Sequence, residues 1–249
     1  MNRKCYFLIP AAGSGKRMGG PVPKLMIDVL GLPVIARTIG AISEYAASVP
    51  EVDCSVILIT TDDLKPKLMN IVTDYFPGLD IIYAEGGATR SASVLNGIRA
   101  IEDAAPEDLV LIHDGARCLV TKEEIADVYK GLEDSSVCAS AVPVKDTLKK
   151  TSLSADGKVI VESTPIRSDY YAVRTPQGFR YSELMKCLDY YASEEGIHAT
   201  DDTLIAERCG LTVTLVEGSY SNIKITTPED VAVAREIVRA RWQKQPFED

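Results

Sequence analysis

The stretch IPAAGSGKRMGGPVPK, residues 9–24, follows the apolar run CYFLIP (5–10) and decides how the chain is read. Its glycines let backbone N–H groups approach an anion closely. Its three cations, Lys16, Arg17 and Lys24, are costly to crowd together unless an anion lies between them. A glycine loop directly after a buried strand therefore reads as a phosphate site rather than a solvated turn. Two common phosphate loops do not fit. A Walker A loop needs glycine at position 10 and serine or threonine at 17, where this chain has Pro10 and Arg17. A dinucleotide fingerprint needs glycine or alanine at position 18, where the chain has Met18.

Working outward, SVILIT (55–60), DIIYA (80–84) and LVLIH (109–113) are apolar on both faces, as buried parallel strands are. Amphipathic patterns predict helices over 33–47, 64–75 and 91–104. The alternation predicts an α/β fold, a Rossmann-like and mostly parallel sheet flanked by helices. Ligands bind such sheets at the carboxyl ends of the strands, so the glycine loop and HDGAR (113–117) share one edge. The rhythm breaks after VCASAVPV (137–144). Within 145–165, LKK and KVIVES are strand-like and SADG between them is turn-like, which predicts a projecting β-hairpin arm. An isolated hairpin is marginal in water, so the arm is expected to pack on something, a second subunit being the natural candidate. Helices are predicted again over 181–193, 200–209 and 228–241, the last with Thr227 as N-cap and Pro228 at its first position. With no linker or repeat, residues 1–249 read as one domain carrying the arm.

Composition narrows the function. A hydrophobic fraction of 46% supports a full core, and 6% aromatics make that core aliphatic. The net charge of −9 disfavours a broad nucleic-acid surface, while a few local cations can still hold a small anion. Cysteines at 5, 54, 118, 138, 187 and 209 show no C-x-x-C spacing, and there are only two histidines. Reduced thiols in a cytoplasmic protein are the simpler reading than a zinc site or disulfide framework. No segment approaches the roughly 18 apolar residues of a membrane span.

PAAGSGKRM and the following PK, within residues 10–24, resemble the nucleotide loop of sugar-phosphate and alditol-phosphate nucleotidyltransferases. GGATRSASVLNGI (86–98), HDGARCLVT (113–121), VPVKDTLKK (142–150), RTPQGFR (174–180), TDDTLIAERCG (200–210) and GSYSNIKITTPEDVAVA (218–234) then occur in the order found in one branch. That branch is the 2-C-methyl-D-erythritol 4-phosphate cytidylyltransferase family of the non-mevalonate isoprenoid pathway, and the resemblance spans residues 5–241. It implies a nucleotide-diphospho-sugar transferase fold and an enzyme that joins CTP to a polyol phosphate, releasing pyrophosphate. Ribitol 5-phosphate cytidylyltransferases share the scaffold, so ribitol phosphate stays open as the acceptor. A non-catalytic nucleotide-binding regulator is a reading from another class.

By the same resemblance, Arg17 and Lys24 stabilise the transition state at the α-phosphate. Pro10, Ala11, Ala12, Gly13 and Gly15 supply backbone contacts to ribose and phosphates, and Lys16 is peripheral or solvated. Gly86, Gly87 and Ser93 read the cytosine. Ala88 stands where the family often has an acidic residue, so that side-chain contact is lost or was always a backbone one. Arg90 either supports this loop or touches ligand. Asp114 and Gly115 approach ribose and the acceptor hydroxyls, with Arg117 beside them, and Asp114 could also hold a metal. Thr147 and Arg167 belong to the arm, which in the family crosses a two-fold axis, making a homodimer in which Arg167 clamps the acceptor phosphate in the neighbouring site. Lys224 approaches that phosphate from the same subunit, and Thr175 contacts the polyol. Asp201 and Asp202 are structural or support the site from behind. Mg²⁺ is expected chiefly on the triphosphate. A phosphate monoester is largely dianionic at neutral pH and needs no general base, so catalysis reduces to positioning and charge stabilisation.

Overall fold

The computed structural model describes residues 3–13, 15, 18, 19 and 22–244. In chain order the elements are β1 (Lys4–Pro10), β2 (Asp28–Val29), β3 (Leu32–Pro33), α1 (Val34–Ser48), β4 (Asp53–Thr60), α2 (Lys65–Tyr75), β5 (Asp80–Glu85) and α3 (Arg90–Arg99). There follow β6 (Leu109–Ile112), α4 (Lys122–Asp134), β7 (Val137–Pro143), β8 (Lys150–Leu153), β9 (Val159–Ser163) and β10 (Tyr171–Arg180). The chain ends with α5 (Tyr181–Lys186), α6 (Leu188–Ala192), α7 (Asp202–Arg208), β11 (Val213–Glu217) and α8 (Pro228–Lys244).

Seven strands form one sheet in the order β11-β7-β10-β6-β1-β4-β5. All neighbours are parallel except β10, which runs antiparallel to both β6 and β7. The sheet is thus mostly parallel, with helices on both faces. Period-two alternation divides the strand side chains between them. Phe7, Ile9, Val56, Leu58, Leu109 and Leu111 pack on one face with α1, α4 and α8. Tyr6, Leu8, Ile57, Ile59, Val110 and Ile112 pack on the other with α3, α5, α6 and α7. Each fully buried aliphatic side chain contributes roughly 1.5–3 kcal/mol over leaving it in water. Gly97 brings α3 hard onto the sheet, since a Cβ there would stand 2.5 Å from Ile59 Cδ1.

Helix starts carry local signals. Thr89 Oγ1 accepts from Ala92 N at 3.1 Å to open α3. Thr121 and Glu124 form a capping box at α4. Asp201 caps α7 by accepting from Leu204 N at 2.9 Å. The final helix begins at Pro228, as the TTPED pattern predicts.

Three predicted elements need adjustment. The helix predicted over 91–104 stops at Arg99. The one predicted over 181–193 is two short helices, divided at Cys187, whose N–H bonds to Leu184 O three residues back at 2.9 Å. The helix predicted over 200–209 is shorter, at Asp202–Arg208. β10 and β11 carry no prediction at all. Pro176 and Gly178 interrupt the pattern of β10; the strand accommodates Pro176 at a register irregularity between Val173 and Gln177, while Gly178 stays in register opposite Cys138 and Leu111.

β8 and β9 form a separate two-stranded sheet within 145–165. Its turn closes where SADG stands, with Gly157 at φ +80 and its N–H donating to Ser154 O at 2.9 Å. The first strand lies at Lys150–Leu153, just beyond the predicted LKK. Every residue of both strands is exposed. Leu153, Val159, Ile160 and Val161 present an apolar surface with Ile166 beyond it.

Candidate active site

Three parallel strands end side by side, and their following segments meet over the sheet edge. Ala11 N donates to Ile59 O at 2.7 Å, Gly86 N to Thr60 O at 2.8 Å, and His113 N to Leu8 O at 2.9 Å. A cleft of about 390 Å³ opens above them. Pro10, Ala12, Gly13, Lys24, Gly87, Ser93, Asp114, Gly115 and Lys224 line it, joined by Ala88 and Arg90. Lys24 opens a short 3₁₀ turn after Pro23. Gly15 sits at φ +60, and a Cβ there would come within 3.0 Å of Lys24 Cβ, so this glycine lets the loop lie against the lysine. Ser14, Lys16 and Arg17 lie outside the described residues. The two Arg17 and Lys16 readings therefore rest on the sequence.

Ser93 is committed to the loop itself. Its hydroxyl accepts from Gly87 N and donates to Thr89 O, both at 2.9 Å. It thereby fixes Gly87, where a Cβ would stand 2.6 Å from Ala92 Cβ. Ala88 beside it is apolar, and Thr89 and Arg90 follow it along the cleft wall.

A second cavity, about 430 Å³, adjoins the first through Arg90, Asp114 and Lys224. Arg117, Tyr171, Val173, Arg174, Thr175, Gln177, Thr200 and Asp201 complete its lining. Asp114 stands at the junction, 7% exposed, and pairs with three cations. Arg90 Nε is 3.1 Å away, Arg117 Nε 3.4 Å and Lys224 Nζ 2.8 Å. Burial opposes its charge, but Arg90, Lys224 and Arg117 outweigh that and hold its carboxyl well below the usual range. A carboxylate so engaged has little left to offer a metal, and among the described residues no cluster of three His, Cys, Asp or Glu is placed to hold one. What the structure places on Asp114 is therefore three cations.

Arg90 bridges Asp114 to Asp202, its Nη2 lying 2.7 Å from Asp202 Oδ2. Burial works against its charge, yet Asp202 and Asp114 together raise its pKa. Both readings of Arg90 have support: it braces the junction, and its Nη1 is buried without a partner while the residue lines both cavities. Asp202 is wholly buried, accepting also from Tyr191 OH at 2.9 Å, and Asp201 is a helix cap, so these two carboxylates support the site rather than form a metal pair.

His113 and Thr175 form a closed chain beneath the junction. A carbonyl can only accept, so His113 Nε2 donates to Arg117 O at 3.2 Å. Nδ1 then accepts from the Thr175 hydroxyl at 3.0 Å, and Thr175 Oγ1 accepts from Asp114 N at 3.1 Å. Burial drives the His113 pKa down to about 4, so the ring is neutral. It is not a general base. The Thr175 hydroxyl, read from sequence as a polyol contact, anchors the Asp114 backbone from below, and the residue lines the second cavity.

Arg167 and Thr147 are exposed and line neither cavity of their own chain. Arg167 Nη1 donates to Lys145 O at 2.6 Å at the root of the arm. The sequence reading missed Tyr171, Arg174 and Thr200 at the second cavity. Thr200 was within reach, since it opens the TDDT segment already singled out.

A mostly parallel sheet with a glycine-lysine loop at its carboxyl edge, and two anion-sized cavities meeting at one ion-paired carboxylate, defines a nucleotidyltransferase. The family model "2-C-methyl-D-erythritol 4-phosphate cytidylyltransferase" matches residues 5–240, and the chain belongs to that family. A relative of that name from Trichormus variabilis is 40% identical, with 95% of this chain and 98% of the relative covered. Among solved structures, a 4-diphosphocytidyl-2C-methyl-D-erythritol synthase from Anaerococcus prevotii is similar at TM-score 0.79 and 30% identity, covering 96% of this chain and all of that one (100%). The 2-C-methyl-D-erythritol 4-phosphate cytidylyltransferase of Thermus thermophilus superposes at TM-score 0.70 and 30% identity, over 94% and 98% of the two chains.

Proposed function

We infer that the protein transfers CMP from CTP to 2-C-methyl-D-erythritol 4-phosphate in non-mevalonate isoprenoid biosynthesis. The observation that carries this is the pair of cavities meeting at Asp114 in a member of this family. CTP occupies the cleft of Lys24, Gly87 and Gly115, and the acceptor occupies the neighbouring cavity. An acceptor phosphate oxygen attacks the α-phosphorus of CTP in line. The new P–O bond forms as the bond to the β-phosphate oxygen breaks, giving 4-diphosphocytidyl-2-C-methyl-D-erythritol and pyrophosphate.

This chain's residues position and neutralise. Arg17 and Lys24 meet charge on the α-phosphate and the leaving group. The backbone of Pro10, Ala11, Ala12, Gly13 and Gly15 approaches ribose and phosphates, and that of Gly86 and Gly87 approaches the base. Lys224 and Arg117 face the acceptor, and Arg167 of a second copy closes over its phosphate, with Thr147 beside it. Mg²⁺, bound through the CTP phosphates, supplies charge neutralisation there. The exposed apolar arm supports a homodimer, since a lone hairpin is marginal and this one has both strands in solvent. The remainder of residues 1–249 acts as one catalytic domain. No helix among the described residues is long and apolar enough to cross a membrane, and six unpaired cysteines suit a reducing cytoplasm.

The test is pyrophosphate release from CTP and Mg²⁺ with two acceptors side by side. Release is expected with methylerythritol phosphate and little with ribitol 5-phosphate. Preference for ribitol phosphate would overturn the acceptor, and CTP binding without turnover on either would support a regulator.

A further inference from the structure

The segment 218–224 delivers Lys224 to the junction, and it is held from beneath by an uncommon number of bonds. Asn222 is wholly buried. Its backbone carbonyl accepts from two guanidinium groups, Arg117 Nη1 at 2.9 Å and Arg174 Nη1 at 2.7 Å. Its side-chain Nδ2 donates to Thr175 O at 2.9 Å and to Glu124 Oε1 at 3.3 Å. Glu124 Oε1 also accepts from Ser219 N at 2.9 Å. Further out, Tyr220 OH donates to Pro143 O at 2.7 Å and Arg241 Nη2 to Ser221 Oγ at 2.9 Å.

Arg174 is the odd member of this group. Among the described residues it has no carboxylate within ion-pair distance, and its Nε is buried without a partner. Burial pushes its pKa down against the weaker pull of Glu124, which stands beyond ion-pair distance. A desolvated guanidinium without an ion pair is a poor device for stability, because an apolar side chain would fill the space at lower cost. Its protein hydrogen bond goes to a carbonyl two residues ahead of Lys224. Lys224 Nζ in turn stands 2.8 Å from Asp114 Oδ2, at the wall both cavities share.

We propose that Arg174 is a positioning residue for acceptor binding, acting through the Asn222 carbonyl to hold the Lys224 ammonium at the junction. The proposal rests on the assignment of Lys224 to the acceptor phosphate. Sharing the carbonyl between Arg117 and Arg174 pins it from two directions. Losing one lets the segment shift, and a misplacement of about 1 Å at a reacting group can cost about a hundredfold.

Steady-state kinetics of the full chain with Arg174→Met, Lys224→Met and the double variant test this. Arg174→Met is expected to raise KM for methylerythritol phosphate about tenfold and to leave KM for CTP within about twofold. Arg174→Lys, which keeps a donor near the carbonyl, should recover part of the loss. In the Lys224→Met background, adding Arg174→Met should change little, because its route to the substrate is already gone. Effects that multiply in the double variant would overturn the proposal, as would equal rises in KM for both substrates. If Lys224→Met leaves the acceptor KM unchanged, the assignment of Lys224 itself falls. If Lys224→Met raises it and Arg174→Met does not, the positioning role alone falls.

Discussion

Lys24→Ala lowers kcat by about 10²–10³-fold while CTP affinity changes little. The lysine lines the nucleotide cleft on a short 3₁₀ turn, with its stem against Gly15. A cation there meets charge that grows only as the bond to pyrophosphate breaks. Stabilisation confined to the transition state raises kcat and leaves ground-state binding alone. Arg17→Ala should behave in the same way. Pyrophosphate release gives kcat, and calorimetry gives the CTP dissociation constant. Unchanged turnover, or a loss confined to CTP affinity, would contradict the role.

Arg167→Ala and Lys24→Ala each give nearly inactive protein, yet mixing the two restores about a quarter of wild-type activity. Arg167 lines neither cavity of its own chain and sits at the root of an exposed hairpin. If it serves the neighbouring site, a mixed dimer has one site with an intact Lys24 and an intact Arg167 from across the axis. Random reassociation puts about half the protein in mixed dimers, each with one working site of two. Co-refolded or co-expressed subunits, with activity measured per total protein, provide the check. No recovery would place Arg167 in its own subunit's site or outside catalysis.

The sheet and the nucleotide cleft were legible because they depend on local pattern. CYFLIP, SVILIT and LVLIH are apolar on both faces only because helices cover both, and the segments after them must share an edge. β10 was not legible. Its proline and glycine argue against an interior strand, and only the pairing with β6 and β7 overrides them. The same limit applies to side-chain roles. Thr175 and Ser93 line the cavities, and the partners that hold their hydroxyls, far away in sequence or one turn back, follow from no local pattern. Asp114 was legible as a residue at the carboxyl edge of the sheet, whereas its three cations come from segments 24 residues upstream, 3 downstream and 110 downstream, which no spacing rule connects. Arg174 went unseen because its significance lies in a backbone carbonyl.

The closed chain from Asp114 N through Thr175 to His113 has a consequence for how the rate responds to pH. With His113 neutral down to about pH 4 and Asp114 ionised below that, neither group changes state across the working range. Between these two and the acceptor, the group that titrates is the acceptor phosphate, which loses its second proton near a pKa of about 6. Turnover at subsaturating acceptor should climb through that region to a plateau rather than trace a bell, and its midpoint should follow the acceptor when a phosphate of different acidity is supplied. His113 and Asp114 keep their protons still, and the nucleophile brings its own pH dependence with it.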